Sequence, residues 1–180
     1  MKTIKIGAIG LGRLGEQHAE NLAQRINGVE LTALCDMDNN KLDSVSDRLG
    51  VKKRFSSFNE MIGLDELDAV AISSPSGLHP EHISAALKAG KHVFSEKPLG
   101  VTIEECKNVE DSVKKYSNKV FMLGFMRRFD PSYQYAKKKI ESGEIGRIIM
   151  VRSYGQDPEK FIEGAIAYAG HSGGEFLDMA

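Results

Sequence analysis

The sequence predicts an α/β fold, a doubly wound parallel sheet with helices on both faces, with a further segment after it. Three observations carry this. Short apolar runs alternate with amphipathic helical stretches from residue 2 to about residue 125, and that alternation implies parallel strands covered by helices. The first run ends in a glycine turn, G-L-G-R-L-G at 10–15, directly before a helical pattern. The rhythm then breaks at 127–131. The boundaries read from this are 1–125 for the first domain and 126–180 for the segment after it.

The elements follow in order. Residues 2–9, rich in Ile, form a short buried strand, and 14–26 have helical spacing. Residues 31–35 are a second apolar run, and 39–49 a helix closed by Gly50, since glycine accepts the left-handed conformation of a helix end. A polar turn at 65–68 precedes a strand at 69–72. A helix at 82–89 ends at Gly90, and 92–95 is a strand. Thr102 and Glu105 have the spacing of a capping box and open a helix running to about Tyr116. Residues 120–125 are a strand, 133–141 a helix, Gly143 and Gly146 frame a turn, and 147–154 read as a longer strand with β-branched residues. From 155 to 174 the chain is glycine-rich and irregular, a length of loop that compact domains keep for sites.

Composition excludes several classes. The 180 residues are 41% hydrophobic and 27% charged with a net charge of -1, so a nucleic-acid or acidic-membrane partner, which needs a clustered basic surface, is not expected. Lys137, Lys138 and Lys139 are read as a solvated helix face. The longest apolar run, 120–126, is far short of the ~18 residues that suggest a membrane span. Cys35 and Cys106, the two cysteines, lack a CxxC partner and are read as inert thiols of a reducing compartment. No metal site is expected, and the chain is placed in the cytoplasm.

Gly10, Gly12 and Gly15 lie between a strand and a helix, as the chemistry of dinucleotide binding demands. The first permits the tight turn, the second lets the backbone approach a pyrophosphate, and the third allows close helix–strand packing. The intervening Leu11, Arg13 and Leu14 belong to the same candidate cofactor loop, whose N–H groups and helix dipole suit phosphate. Asp36 closes the second strand about 20 residues further on, where a carboxylate accepts hydrogen bonds from the adenosine ribose and repels a 2′-phosphate. Met37 and Asp38 follow, with no arginine to hold such a phosphate. The cofactor expected is NAD on a Rossmann fold. His18, one turn into the helix, reads equally well as a packed or solvated residue or as a contact.

Two further segments are more specific: A-G-K-H-V-F-S-E-K-P-L-G at 89–100 and G-F-M-R-R-F-D at 124–130. With the glycine loop, S-S-P-S-G-L-H at 73–79 and S-G-G-E-F-L-D-M at 172–179, they resemble the glucose–fructose oxidoreductase/inositol dehydrogenase (Gfo/Idh/MocA) family, over the whole chain. The resemblance implies that Ser73, Ser74, Pro75 and His79 lie on the ribose and nicotinamide side of the cofactor, that Glu96 sits near the nicotinamide ribose, and that Lys97 is the active-site lysine, joined to Pro98 by a cis bond. It implies hydride transfer from a carbinol carbon of myo-inositol or a related polyol or sugar to NAD, in a homo-oligomer, dimer or tetramer. The cofactor takes the hydride, and Lys97 would polarise the hydroxyl and share its proton.

In this family the proton goes to a histidine in an Asp-x-x-x-His arrangement. Asp178 matches the aspartate, while the sequence as read stops at Ala180, before the histidine's place. The resemblance implies that the chain is an N-terminal fragment of a longer enzyme, inactive alone, in which 126–180 are the truncated start of a second, α+β domain. Asp178 can also be read as a helix cap. Arg127 is a substrate-side candidate through its fork of donors, or a bridge between domains. Asp157 is a candidate acceptor of substrate hydroxyls, or a turn residue before Pro158. A non-catalytic NAD- or sugar-sensing regulator, or a bare dinucleotide-binding module, is the alternative, since fold does not dictate function; Lys97 and Asp178 favour the enzyme.

Overall fold

The computed structural model describes residues 2–154 and Ile166. Six parallel strands form one sheet: β1 (Ile4–Ile9), β2 (Val29–Cys35), β3 (Lys53–Phe55), β4 (Ala69–Ile72), β5 (His92–Ser95) and β6 (Phe121–Leu123). Their spatial order is β3-β2-β1-β4-β5-β6. The chain winds outward from β1 to β3, crosses over, and winds outward again from β4 to β6. Between β1 and β4 the direction reverses, and open α/β sheets bind ligands beyond the carboxyl ends of the strands at such a point.

Each face of the sheet packs its own core. Ile9, Cys35, Val70, Ile72 and Val93 face α3 (Phe58–Ile62), α4 (His79–Lys88) and α5 (Ile103–Lys115), burying Met61, Ile83, Leu87 and Val109. Ala8, Leu34 and Ala71 face α1 (Arg13–Gln24) and α2 (Asn39–Leu49), burying Ala19, Leu42 and Val45. Strands buried on both faces read as unbroken apolar runs, as these do. In β2 the register against β1 slips by one residue, Ile6 opposing Leu31 and Gly7 opposing Ala33. The extra residue, Thr32, flips the alternation of the strand after it, so Leu31 and Ala33 belong to opposite cores. The same flip sets the phase in which β2 runs into Asp36.

The helix boundaries have local causes. Asp38 caps α2 by accepting from the N–H groups of Asn40 and Lys41 at 3.0 and 3.2 Å, and Gly50 closes it at φ +70°. Thr102 and Glu105 form the expected capping box of α5. Asp130 caps α6 (Pro131–Glu141), with Pro131 in its first turn; proline suits that position because its missing N–H would have no helical partner.

Several expectations are corrected. Residues 147–154 form no strand and are exposed, with Ile149 at 87% and Val151 at 76%. A β-branched run becomes a strand only with a ladder partner, and the described residues offer none. Helix α4 begins at His79 rather than at residue 82, because Pro80 starts it and a 3₁₀ turn, Ser76–Leu78, leads in. The short edge strand β3 and helix α3 were not expected. β3 carries Lys53 and Arg54 and is defined by its ladder with Ala33–Cys35, a tertiary signal. Residues 155–165 and 167–180, with the irregular loop, Asp157 and Asp178, lie outside the described residues. None of the helices among the described residues is long and apolar enough to cross a membrane.

The two cores make a direct comparison of positions possible. Ile83→Ala, at a site with no exposure, is expected to destabilise the protein by about 2–5 kcal/mol. Ile103→Ala, at a side chain 77% exposed, should change stability by less than about 0.5 kcal/mol. Urea titration of both variants measures the difference.

Candidate active site

The site is built at the carboxyl edge of the sheet. Gly10 leaves β1 at φ +83°, and a Cβ there would lie 2.5 Å from the Ser73 carbonyl oxygen. A Cβ on Gly15 would collide with the Gly10 carbonyl oxygen. These two glycines are thus required by protein packing, backbone against backbone. Gly12 differs: a Cβ there would meet no protein atom within 4 Å. What glycine preserves at that position is access to the backbone from outside. Gly12 is also the N-cap of α1 and gives it no side-chain hydrogen bond, which suits an anion as the helix's partner. The residues present therefore fit a pyrophosphate. Leu11 is fully buried in the α1 core, while Leu14 is 41% exposed and Arg13 is exposed.

Asp36 ties this loop to β2. Its Oδ2 accepts the Leu11 N–H at 2.5 Å and its Oδ1 accepts the Asp38 N–H at 2.8 Å. Each carboxylate oxygen has a second lone pair, so the group can still accept from ribose hydroxyls. One side chain thereby shapes the glycine loop and presents negative charge beside it. Cys35, next to it, is buried, and its thiol is pushed up to about 12 by that burial, with Asp36 and Glu60 adding to the effect. It is an unreactive core thiol; Cys106 is also free and half-buried.

The loop after β4 supplies Ser73, Ser74 and Pro75. Ser73 is held by its N–H to the Ile9 carbonyl at 2.9 Å, so it sits beside the glycine turn. Ser74 is buried, its hydroxyl 2.9 Å from His82 Nδ1 and its carbonyl 2.8 Å from His79 Nε2. Pro75 is exposed at the edge. His79 is 1% exposed, and its Nδ1 lies 2.7 Å from the Pro98 carbonyl oxygen. Burial holds the His82 ring below the usual histidine value, Glu81 opposing and His79 adding to the effect, and the ring packs on Phe58 at 4.4 Å.

The loop after β5 carries Glu96, Lys97 and Pro98, and the Lys97–Pro98 bond is cis. Glu96 is anchored by its N–H to the Ile72 carbonyl at 2.8 Å. Its Oε1 meets His18 Nε2 at 2.7 Å, and its Oε2 accepts the Lys97 N–H at 3.3 Å. The His18 ring sits edge-on to Phe94 at 5.3 Å. Burial raises the Glu96 carboxyl, but the hydrogen bond and charge of His18, with the N–H and charge of Lys97, outweigh it and hold the group below the ordinary glutamate value. Lys97 itself is half-buried in this loop. Gly124, which follows β6, leaves room for Glu96, since a Cβ there would lie 3.2 Å from Oε2.

The structure thus brings the glycine loop, Asp36, the Ser73–Pro75 loop, Glu96 and Lys97 to one edge. Arg127 lies in the 3₁₀ turn Met126–Phe129 after β6, exposed, 3.8 Å from Asp130 and 5.4 Å from the centre of the Tyr133 ring. Two residues gain a place that sequence reasoning left open or missed. His18, undecided from the sequence, locks Glu96; the signal was its position one helical turn after Gly15, beside the face buried by Gly15 and Ala19. His82, paired with Ser74, was missed, because only the fold brings the first turns of α4 over that loop.

A glycine turn at the switch point, an acid at the end of the second strand and a lysine on a cis-proline loop define a dinucleotide-binding domain of the oxidoreductase type. The chain belongs to the family described as "Oxidoreductase family, NAD-binding Rossmann fold", whose pattern matches residues 4–125. It is 36% identical to the scyllo-inositol 2-dehydrogenase (NAD(+)) of Bacillus subtilis over 98% of its own length and 51% of the relative's. It is 37% identical to the myo-inositol 2-dehydrogenase of Thermotoga maritima, again over 98% and 51%. Among solved structures, the scyllo-inositol dehydrogenase of Lactobacillus casei with bound NAD(H) and scyllo-inositol matches at TM-score 0.92 and 46% identity, covering 98% of this chain and 53% of that one. The chain spans about half the length of the curated relatives it matches.

Two outcomes are expected. Asp36→Ala should narrow the preference for NAD over NADP, measured by calorimetry with each cofactor, because it removes the charge that repels a 2′-phosphate. The second concerns acid stability. Glu96 is lowered in the folded protein, so the unfolded chain binds its proton more readily. The stabilisation is complete above the ordinary glutamate value and is lost as pH falls through the lower folded value. His18→Gln should therefore flatten the fall of the melting temperature across that acid window, followed by circular dichroism.

Proposed function

We propose that the protein is an NAD-dependent dehydrogenase that oxidises a carbinol carbon of myo-inositol, scyllo-inositol or a related polyol. The observation that carries this is the convergence, at one sheet edge, of a pyrophosphate-shaped glycine loop, Asp36, and Lys97 on its cis-proline loop. The inositol dehydrogenases it resembles support the substrate class.

In this reading the N–H groups from Gly10 to Gly15 hold the pyrophosphate, Asp36 the adenosine ribose, and Ser73, Ser74, Pro75 and Glu96 the nicotinamide half, with His79 behind them. Bound NAD supplies the hydride acceptor. Lys97 donates a hydrogen bond to the substrate hydroxyl, orients its carbon and eases departure of the proton, with Asp178 completing the relay. Arg127 and Asp157 bind substrate hydroxyls. Residues 126–180 open the substrate-binding domain. The exposed Phe125, Met126 and Phe129 need a covering surface, which supports that domain and a homo-oligomer of two or four chains. The free thiols support a reducing, cytoplasmic setting.

The protein, expressed at the full length of its gene, should form NADH when given an inositol, followed by absorbance. Lys97→Ala should lower turnover about 10²–10⁴-fold, the range of a positioned acid–base group, with NAD affinity nearly unchanged. Turnover retained with only a raised KM would make Lys97 a binding residue.

A further inference from the structure

His79 sits in an unusual position for a neutral histidine. Its ring is 1% exposed, and both nitrogens face backbone carbonyl oxygens, Nε2 that of Ser74 at 2.8 Å and Nδ1 that of Pro98 at 2.7 Å. A carbonyl oxygen only accepts. A neutral imidazole carries one N–H and one lone pair, so one of the two contacts would set lone pair against lone pair. An imidazolium donates at both. Both contacts, at 2.7 and 2.8 Å, lie within the usual N–H···O range of about 2.7–3.2 Å, so both nitrogens are in bonding position. The two carbonyls belong to neighbouring loops at the same sheet edge: Ser74 follows β4, and Pro98 is the residue after Lys97.

We infer that His79 is a doubly protonated clamp, a positioning residue whose two N–H groups tie the Ser74 carbonyl to the Pro98 carbonyl and so hold Lys97 in register with the cofactor loop. The charged and titratable neighbours are consistent with this. His82, one turn further along α4, is held toward its neutral form chiefly by burial, against the charge of Glu81. Glu96, in the loop that ends at Pro98, is held ionised by His18 and Lys97 and supplies negative charge on that loop. Lys97 is the other cation nearby in sequence. A neutral His79 would release one carbonyl, and the two loops would lose their common anchor. The charge state stands on geometry alone, while the effect on Lys97 rests on the proposed dehydrogenase reading.

Two measurements separate these. Nitrogen-15 histidine labelling of the wild-type protein near neutral pH, read by long-range proton–nitrogen correlation, should show both ring nitrogens of His79 protonated. A spectrum with one unprotonated nitrogen overturns the inference. The second uses His79→Phe, which keeps the ring volume and removes both donors. Turnover per folded, NAD-bound molecule should fall about 10–100-fold, the cost of a small misplacement, while NAD affinity changes far less. Unchanged turnover overturns the positioning role. Should this variant fail to fold, the wild-type nitrogen spectrum decides alone. A wild-type protein that turns over no polyol would sink the proposed function and leave the spectrum as the test of the clamp.

Discussion

The close approach of α1 to the end of β1 is the constraint on which the site depends. Gly15 lies so near the Gly10 carbonyl that no Cβ fits between them, and Gly10 in turn lies against the Ser73 carbonyl. Three backbone segments, from β1, α1 and the loop after β4, therefore meet without side chains between them. That contact brings the N-terminus of α1 to the reversal point of the sheet. Any side chain at either glycine would push the helix away and move the loop that shapes the candidate phosphate site. Gly12 stands outside this packing, which is why its lack of a Cβ points to a ligand rather than to the fold.

Around this contact the polar groups are arranged as struts. Asp36 fastens the glycine loop to β2, His18 reaches from α1 to Glu96 across Phe94, and His79 joins the loops after β4 and β5. Each strut is half-buried or buried, so its bonds are stronger than the same contacts in water and costlier to leave unmade. Loops otherwise sit at the less stable end of a protein. Here the side chains of two histidines and two acids hold four of them in fixed relation. Lys97, on one of these loops, inherits its position from backbone contacts made by its neighbours.

Much of this was legible in the chain. The parallel sheet follows from apolar runs alternating with helices, and five of its six strands are legible that way, while their order came from the fold. The glycine spacing, the position of Asp36 and the Thr102–Glu105 box were readable because each depends on residues close in sequence, and the family resemblance implied the cis bond before Pro98. The misses have a shared cause. Strand β3 is three residues with two cations and exists through its ladder with β2. Residues 147–154 carry strand-like chemistry and no partner, so they form none. In both cases pairing, which joins distant segments, outweighed local pattern.

The sequence by itself determined the fold class, the family, and the residue types of the candidate cofactor site, since turn geometry, helix caps and motif spacing are short-range properties. Only the tertiary structure decided how the histidines are used. His18, His79 and His82 look alike in the chain, and their partners lie between 5 and 78 positions away. Whether such a ring is solvated, packed or a doubly bonded clamp depends on which backbone carbonyls and carboxylates folding brings to its two nitrogens. That is a matter of distances across the sheet edge, and no local pattern encodes it.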